Sequence, residues 1–136
     1  MSFEPAQGRW VNQKKPTKAS TTYTVGMMTY NDGTNDVPVT STTQLNLSGI
    51  VLEAKASTSA TTSILLRVPS GQDCTFYGDM VSGETLSKAN EGAPFDFSST
   101  GLTVSTNSTY DTLRLVKYIS STKGEFAYNL TTGIEN

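Results

Sequence analysis

The sequence predicts a mainly β protein: a small antiparallel β-barrel or sandwich-like domain with an extended N-terminal arm and at most one short helix. Three observations lead there. Thr and Ser account for 22 and 16 of the 136 residues. The branched Cβ of Thr suits a pleated strand and loses χ1 freedom in a helix, while the Ser hydroxyl competes for nearby backbone groups and suits turns. Large apolar residues gather in short runs such as Ile64-Leu65-Leu66, and turn formers separate the runs. Such runs also set the chain apart from a disordered Ser/Thr-rich segment, which cannot offset its ordering entropy by burial. The length has room for one domain and one modest core.

Residues 1–20 read as an extended arm and residues 21–136 as a single β-rich domain. Pro5 and Pro16 fix φ and disfavour helix in the residue before them, so the arm runs extended. It carries Phe3 and Trp10, the only Trp, and four of the ten basic residues: Arg9, Lys14, Lys15 and Lys18. One acid, Glu4, accompanies them, whereas residues 19–136 hold six bases and eleven acids. A cationic arm on an acidic body is expected to seek an acidic protein surface. Two readings of the aromatics stand: Trp10 folds back onto its own domain, or Phe3 and Trp10 are anchors buried against a partner, because aromatic and Arg side chains dominate many interfaces. The arm is accordingly expected to be dispensable for folding.

Beyond the arm, residues 23–30 read as a strand ending in Asn31-Asp32-Gly33-Thr34-Asn35-Asp36, a cluster of turn formers, and Val37-Pro38-Val39 returns from it. Residues 47–56 form the next apolar run, and 55–62 a loop. Residues 62–69 alternate with a period of two before Pro69-Ser70-Gly71. Cys74, Phe76 and Gly78 alternate with Thr75 and Tyr77 in a further strand. Residues 86–90 hold the one helical turn. Phe95-Asp96-Phe97 and Leu102-Thr103-Val104 flank a turn, and residues 113–119 and 124–130 form a last pair around 120–124. Residues 131–136 read as loose. Seven or eight strands at this spacing suit a small antiparallel barrel or sandwich. Leu65 and Val116 make their strands apolar on both faces, which implies that a second subunit covers part of the surface.

The chemistry-bearing residues are few. There is no His, which removes the commonest general base and most zinc sites. Cys74 lacks a His partner and reads as a small buried hydrophobe, with no second cysteine for a disulfide. Asp32, Asp36, Asp73, Asp79, Glu84 and Glu91 lie in turns or near Gly, the ordinary place for solvated carboxylates. No EF-hand order and no phosphate-binding glycine motif occurs. The chain is therefore expected not to be an enzyme and to hold no cofactor or metal. A net charge of −2 argues against nucleic acid as a partner. No stretch is long and apolar enough to span a bilayer, and Met1-Ser2-Phe3-Glu4-Pro5 has no apolar core of a secretion signal. The chain is expected to be made in a reducing cytoplasm.

The order of the elements resembles that of the decoration (cement) proteins of tailed-phage capsids. The resemblance rests on Tyr23-Thr24-Val25-Gly26-Met27-Met28-Thr29-Tyr30, then Val37-Pro38-Val39-Thr40-Ser41-Thr42-Thr43-Gln44, Ser48-Gly49-Ile50-Val51-Leu52-Glu53-Ala54, Ser57-Thr58-Ser59-Ala60-Thr61 and Ile64-Leu65-Leu66-Arg67-Val68-Pro69. The later Gly83-Glu84-Thr85-Leu86 and Gly101-Leu102-Thr103-Val104 follow it loosely. It implies a β-tulip-like body, a homotrimer, and a partner in the major capsid protein on the outer surface of the virion, where the subunit bridges neighbours and stabilises the head. Phe3, Arg9, Trp10, Lys14, Lys15 and Lys18 would be the arm's contacts with the shell. The competing readings are a phage fibre or receptor-binding module, a head-completion or tail-tube subunit, and a carboxylate-based glycan hydrolase.

Overall fold

Eleven short strands and one 3-10 turn (Lys88–Asn90) occupy the residues that the computed structural model describes: 2–42, 46–55, 62–71 and 73–129. The strands form two antiparallel sheets. The first runs β1 (Glu4–Gln7), β7 (Thr75–Asp79), β11 (Lys123–Tyr128), β10 (Leu113–Ser120), β8 (Pro94–Phe97) and β9 (Val104–Ser105). The second runs β2 (Trp10–Pro16), β6 (Ser63–Pro69), β5 (Leu47–Val51), β3 (Met28–Asn31) and β4 (Asp36–Pro38). The mainly β, antiparallel class read from the sequence is the class observed.

Between the sheets lies one apolar core. The first sheet contributes Phe76, Phe95, Phe97, Val104, Leu113, Leu115 and Phe126, and the second Met28 and Ile50. Alternation explains the selection: in β10, Leu113 and Leu115 are buried while Arg114 between them is exposed, and a register shift after Leu115 turns Lys117 outward. The hairpins follow their turn residues. Asp32 accepts the N–H groups of Thr34 and Asn35 in the tight β3–β4 turn, an arrangement that Asp favours. Asp96, buried in β8, accepts the N–H groups of Thr109, Tyr110 and Asp111 at 2.8–3.1 Å, and so pins the loop that leads into β10.

The structure corrects three expectations. The first concerns the arm. Its backbone is extended, as read, but it is not a separate arm: β1 is an edge strand of the first sheet and β2 an edge strand of the second. Phe3 is 2% exposed and sits in the core. Its seat is cut by Gly78, where an added Cβ would lie 2.8 Å from the Phe3 ring. Buried Glu125 on β11 accepts hydrogen bonds from Gln7 of β1 (2.7 Å) and Thr75 of β7 (2.6 Å), tying β1 down. Loss of residues 1–20 would take a strand from each sheet, so the segment belongs to the fold.

The second correction concerns the two-sided apolarity. Ile64, Leu66 and Val51 form a separate cluster on the outer face of the second sheet, covered by Tyr23 and Met27 of the same chain. The Tyr23 hydroxyl accepts from the Lys18 N–H and donates to the Asp36 carbonyl, so residues 17–27 are laced over that face. The third correction follows from the second. Residues 23–30 are not one strand, because Gly26 takes φ +86° and a turn at 24–27 breaks the run before β3. The loop expected at 55–62 and the loose end at 131–136 lie largely outside the described residues.

Candidate functional site

The chain passes from the first sheet to the second at Gly8 and Arg9. Gly8 adopts φ +83°, and a Cβ there would come within 2.7 Å of the Cys74 backbone. The Arg9 carbonyl accepts the Ser70 N–H (2.9 Å), the Ser70 hydroxyl (2.8 Å) and the Cys74 thiol (3.0 Å). This clamp fixes where β2 begins. Buried Cys74 thus serves the crossover.

From Trp10 to Pro16, β2 pairs with β6 in an unbroken register, Trp10 opposite Pro69 and Pro16 opposite Ser63. Among the described residues no strand pairs with the other side of Trp10–Pro16, although the next residue, Thr17, bridges Asp36 of β4. At seven residues β2 is the longest edge strand of the two sheets, against four in β1, three in β4 and two in β9. An open edge presents N–H and C=O groups to an incoming strand. Lys14, opposite Leu65, and Lys15, opposite Ile64, leave the strand on opposite faces, so both sides of the edge are cationic. Arg9 and Lys18 extend the charge beyond the two ends.

The ion pairs among the described residues are Lys88 with Glu91 and Lys123 with Glu4. None of Arg9, Lys14, Lys15 and Lys18 takes part in one. Lys18 does lie close enough to Asp32 to help hold that carboxyl below its usual range, behind the larger effect of the Asn35 and Thr34 N–H groups. At about 3.4 Å per residue the four cations span about 30 Å of chain.

The structure therefore groups four of the six residues singled out by sequence and sets two aside. Phe3 is core. Trp10 is half-buried against the core, and its indole N–H donates to the Gln7 carbonyl at 3.0 Å. Both aromatic anchors pack on their own chain.

Among the described residues no three of His, Cys, Asp and Glu gather as metal ligands would. Nor is any helix among them long and apolar enough to cross a membrane. No family model matches the chain, and no curated protein matches it. The site therefore has to be read from its own geometry.

Two carboxylates differ from their sequence reading. Asp36 is 1% exposed, not solvated, and accepts the Ser48 hydroxyl. Glu84 accepts the Thr106 N–H and hydroxyl and the Ser105 hydroxyl, which together draw its carboxyl below the usual glutamate range. Glu84 is occupied with local structure, and Asp36 is so through one oxygen, its Oδ2 being buried without a hydrogen-bond partner.

The sequence reading missed a groove of about 370 Å³ beside β1, lined by Pro5, Val25, Ile50, Leu52 and Arg67 among others. Its signal was a lone arginine in the apolar run Ile64-Leu65-Leu66-Arg67-Val68. Alternation marks such a residue without saying what faces it.

Proposed function

We propose that the chain is a non-enzymatic decoration (cement) protein of tailed-phage heads that docks on the outer surface of the shell through the cationic edge of β2. One observation carries the docking mode: the longest open strand edge bears Lys14 and Lys15 on its two faces, with Arg9 and Lys18 beyond its ends. The choice of a phage shell as the partner comes from the resemblance in element order.

The charge selects the kind of partner. A second copy would bring the same lysines to the contact, so edge-to-edge pairing of two β2 strands is disfavoured. An acidic extended segment would gain backbone hydrogen bonds and charge complementarity together. The homotrimer that the resemblance implies draws no support from the outer face of the second sheet, which Tyr23 and Met27 cover.

A subunit seated across two capsid proteins stabilises the head because separating them then breaks its contacts as well. An interface of about 1,200–2,000 Å² is the scale such docking needs. The test is sedimentation of the purified chain with expanded heads of a phage that encodes it. The double variant K14E/K15E should stay folded and bind at least about tenfold more weakly, because reversed charges at a complementary contact are costly. Unchanged binding by that variant would remove the β2 edge from the interface, and failure of the unaltered chain to bind heads would remove the shell as the partner.

A further inference from the structure

Arg67 occupies an unusual place for a guanidinium. Of the three arginines, Arg9 and Arg114 are exposed, whereas Arg67 is half-buried. In β6 it stands opposite Ile50 on one side and Asn12 on the other, which puts its side chain on the sheet face that carries the core residue Ile50. Its Nε is buried without a hydrogen-bond partner, and its guanidinium takes part in neither ion pair among the described residues. Glu4, on the same groove, faces Lys123 at 4.0 Å. An arginine stays protonated at any physiological pH, so this charge is not relieved by losing a proton.

The walls around it are aliphatic at Pro5, Val25, Ile50 and Leu52 and polar at Ser2 and Glu4. Val25, at 53% the more exposed of the two large exposed hydrophobic side chains, borders the same groove as Pro5, Ile50 and Leu52. Buried polar groups ordinarily find partners, and the planar fork of a guanidinium matches a carboxylate. A lone inorganic anion would satisfy the fork and leave the aliphatic wall in water. A plain apolar side chain would cover the wall and leave the guanidinium charge without a counter-ion.

We propose that this groove binds an acidic side chain together with a neighbouring aliphatic side chain, both from one extended segment of a partner protein. Arg67 takes the carboxylate, while Val25 and Leu52 cover the aliphatic group. The site is distinct from the outer side of β2, and it stands whether or not the partner is a phage shell.

The test uses the full chain, labelled with nitrogen-15, and the Nε–H resonance of Arg67. The probe is a capped pentapeptide with one glutamate flanked by leucines. Its counterpart has glutamine in place of the glutamate. Sodium acetate and sodium phosphate are titrated separately. The glutamate peptide should shift the Arg67 signal saturably, with an affinity about tenfold or more above that for the glutamine peptide or either salt, as expected for one charge-assisted contact plus apolar cover.

R67Q should abolish the preference for glutamate. Because R67Q could disturb β6, V25D provides a second variant. It lies in the exposed turn at 24–27, where Asp is well tolerated, and it places a rival carboxylate in the groove. V25D should weaken the glutamate peptide about tenfold. The proposal is overturned if the Arg67 signal does not respond, if the glutamine peptide binds equally, if acetate or phosphate binds as tightly, or if V25D leaves the affinity unchanged.

Discussion

Phe3 packs edge-on against Phe76 and Phe97, with ring centroids 5.6 Å away in both cases. Such pairs add to the gain from burying the ring. F3A should therefore destabilise the fold by about 3–5 kcal/mol, the range for emptying a buried aromatic site, as measured by urea unfolding. A loss below about 1 kcal/mol would mean that Phe3 leaves its seat in solution. The residue was misread as an interface anchor because a window of twenty residues with two prolines shows no apolar period. The signal that could have placed it lies far along the chain. A glycine in a strand often marks a close approach by another group, and Gly78 is that glycine. The cationic residues were easier to read: four bases against one acid in the first eighteen residues survive any assignment of secondary structure.

The hairpins were legible at the scale of elements, because each depends on residues close in sequence. β10 and β11 join at the expected turn, β8 and β9 flank theirs, and β6 follows its period of two from Ser63 to Pro69. What was not legible is which hairpin neighbours which. The pairing of β1 with β7 and of β2 with β6 joins residues more than 45 positions apart, and no local pattern encodes such a choice.

Connections between elements also carry a pH dependence. The segment before the 3-10 turn is fastened to the end of β9 by Glu84, whose carboxyl is drawn down chiefly by the Thr106 N–H. The folded chain then binds fewer protons at Glu84 than the unfolded chain does across the window between the two pKa values. The stabilisation is complete above the unfolded value and is lost as pH falls through the lowered folded value. Asp96 acts in the opposite sense: burial raises its carboxyl, so its contribution falls as pH rises. Comparison with E84Q isolates the first effect. In thermal unfolding from pH 6 down to pH 3, the variant should show a shallower loss of stability than the unaltered chain, and parallel curves would contradict it.

The whole molecule is an acidic sandwich with one long cationic edge. That edge exists because the chain crosses between sheets at Gly8 and Arg9, clamped by Ser70 and Cys74, and so lays β2 on the outside of β6. The outer apolar face of the second sheet is covered from within by Tyr23 and Met27. Among the described residues, the backbone of β2 with its lysines and the Arg67 groove are surfaces open to a partner.

Docking through an added strand has a specific signature. In an edge strand, alternate amides face away from the neighbour and exchange with solvent, and an added strand protects them. Hydrogen exchange of residues 10–16, compared between the chain alone and the chain bound to expanded heads, tests this most directly. The account predicts fast exchange at alternate β2 amides in the chain alone and slow exchange at those same amides when bound. Bound chain whose β2 amides exchange as they did before, with protection elsewhere, would contradict it.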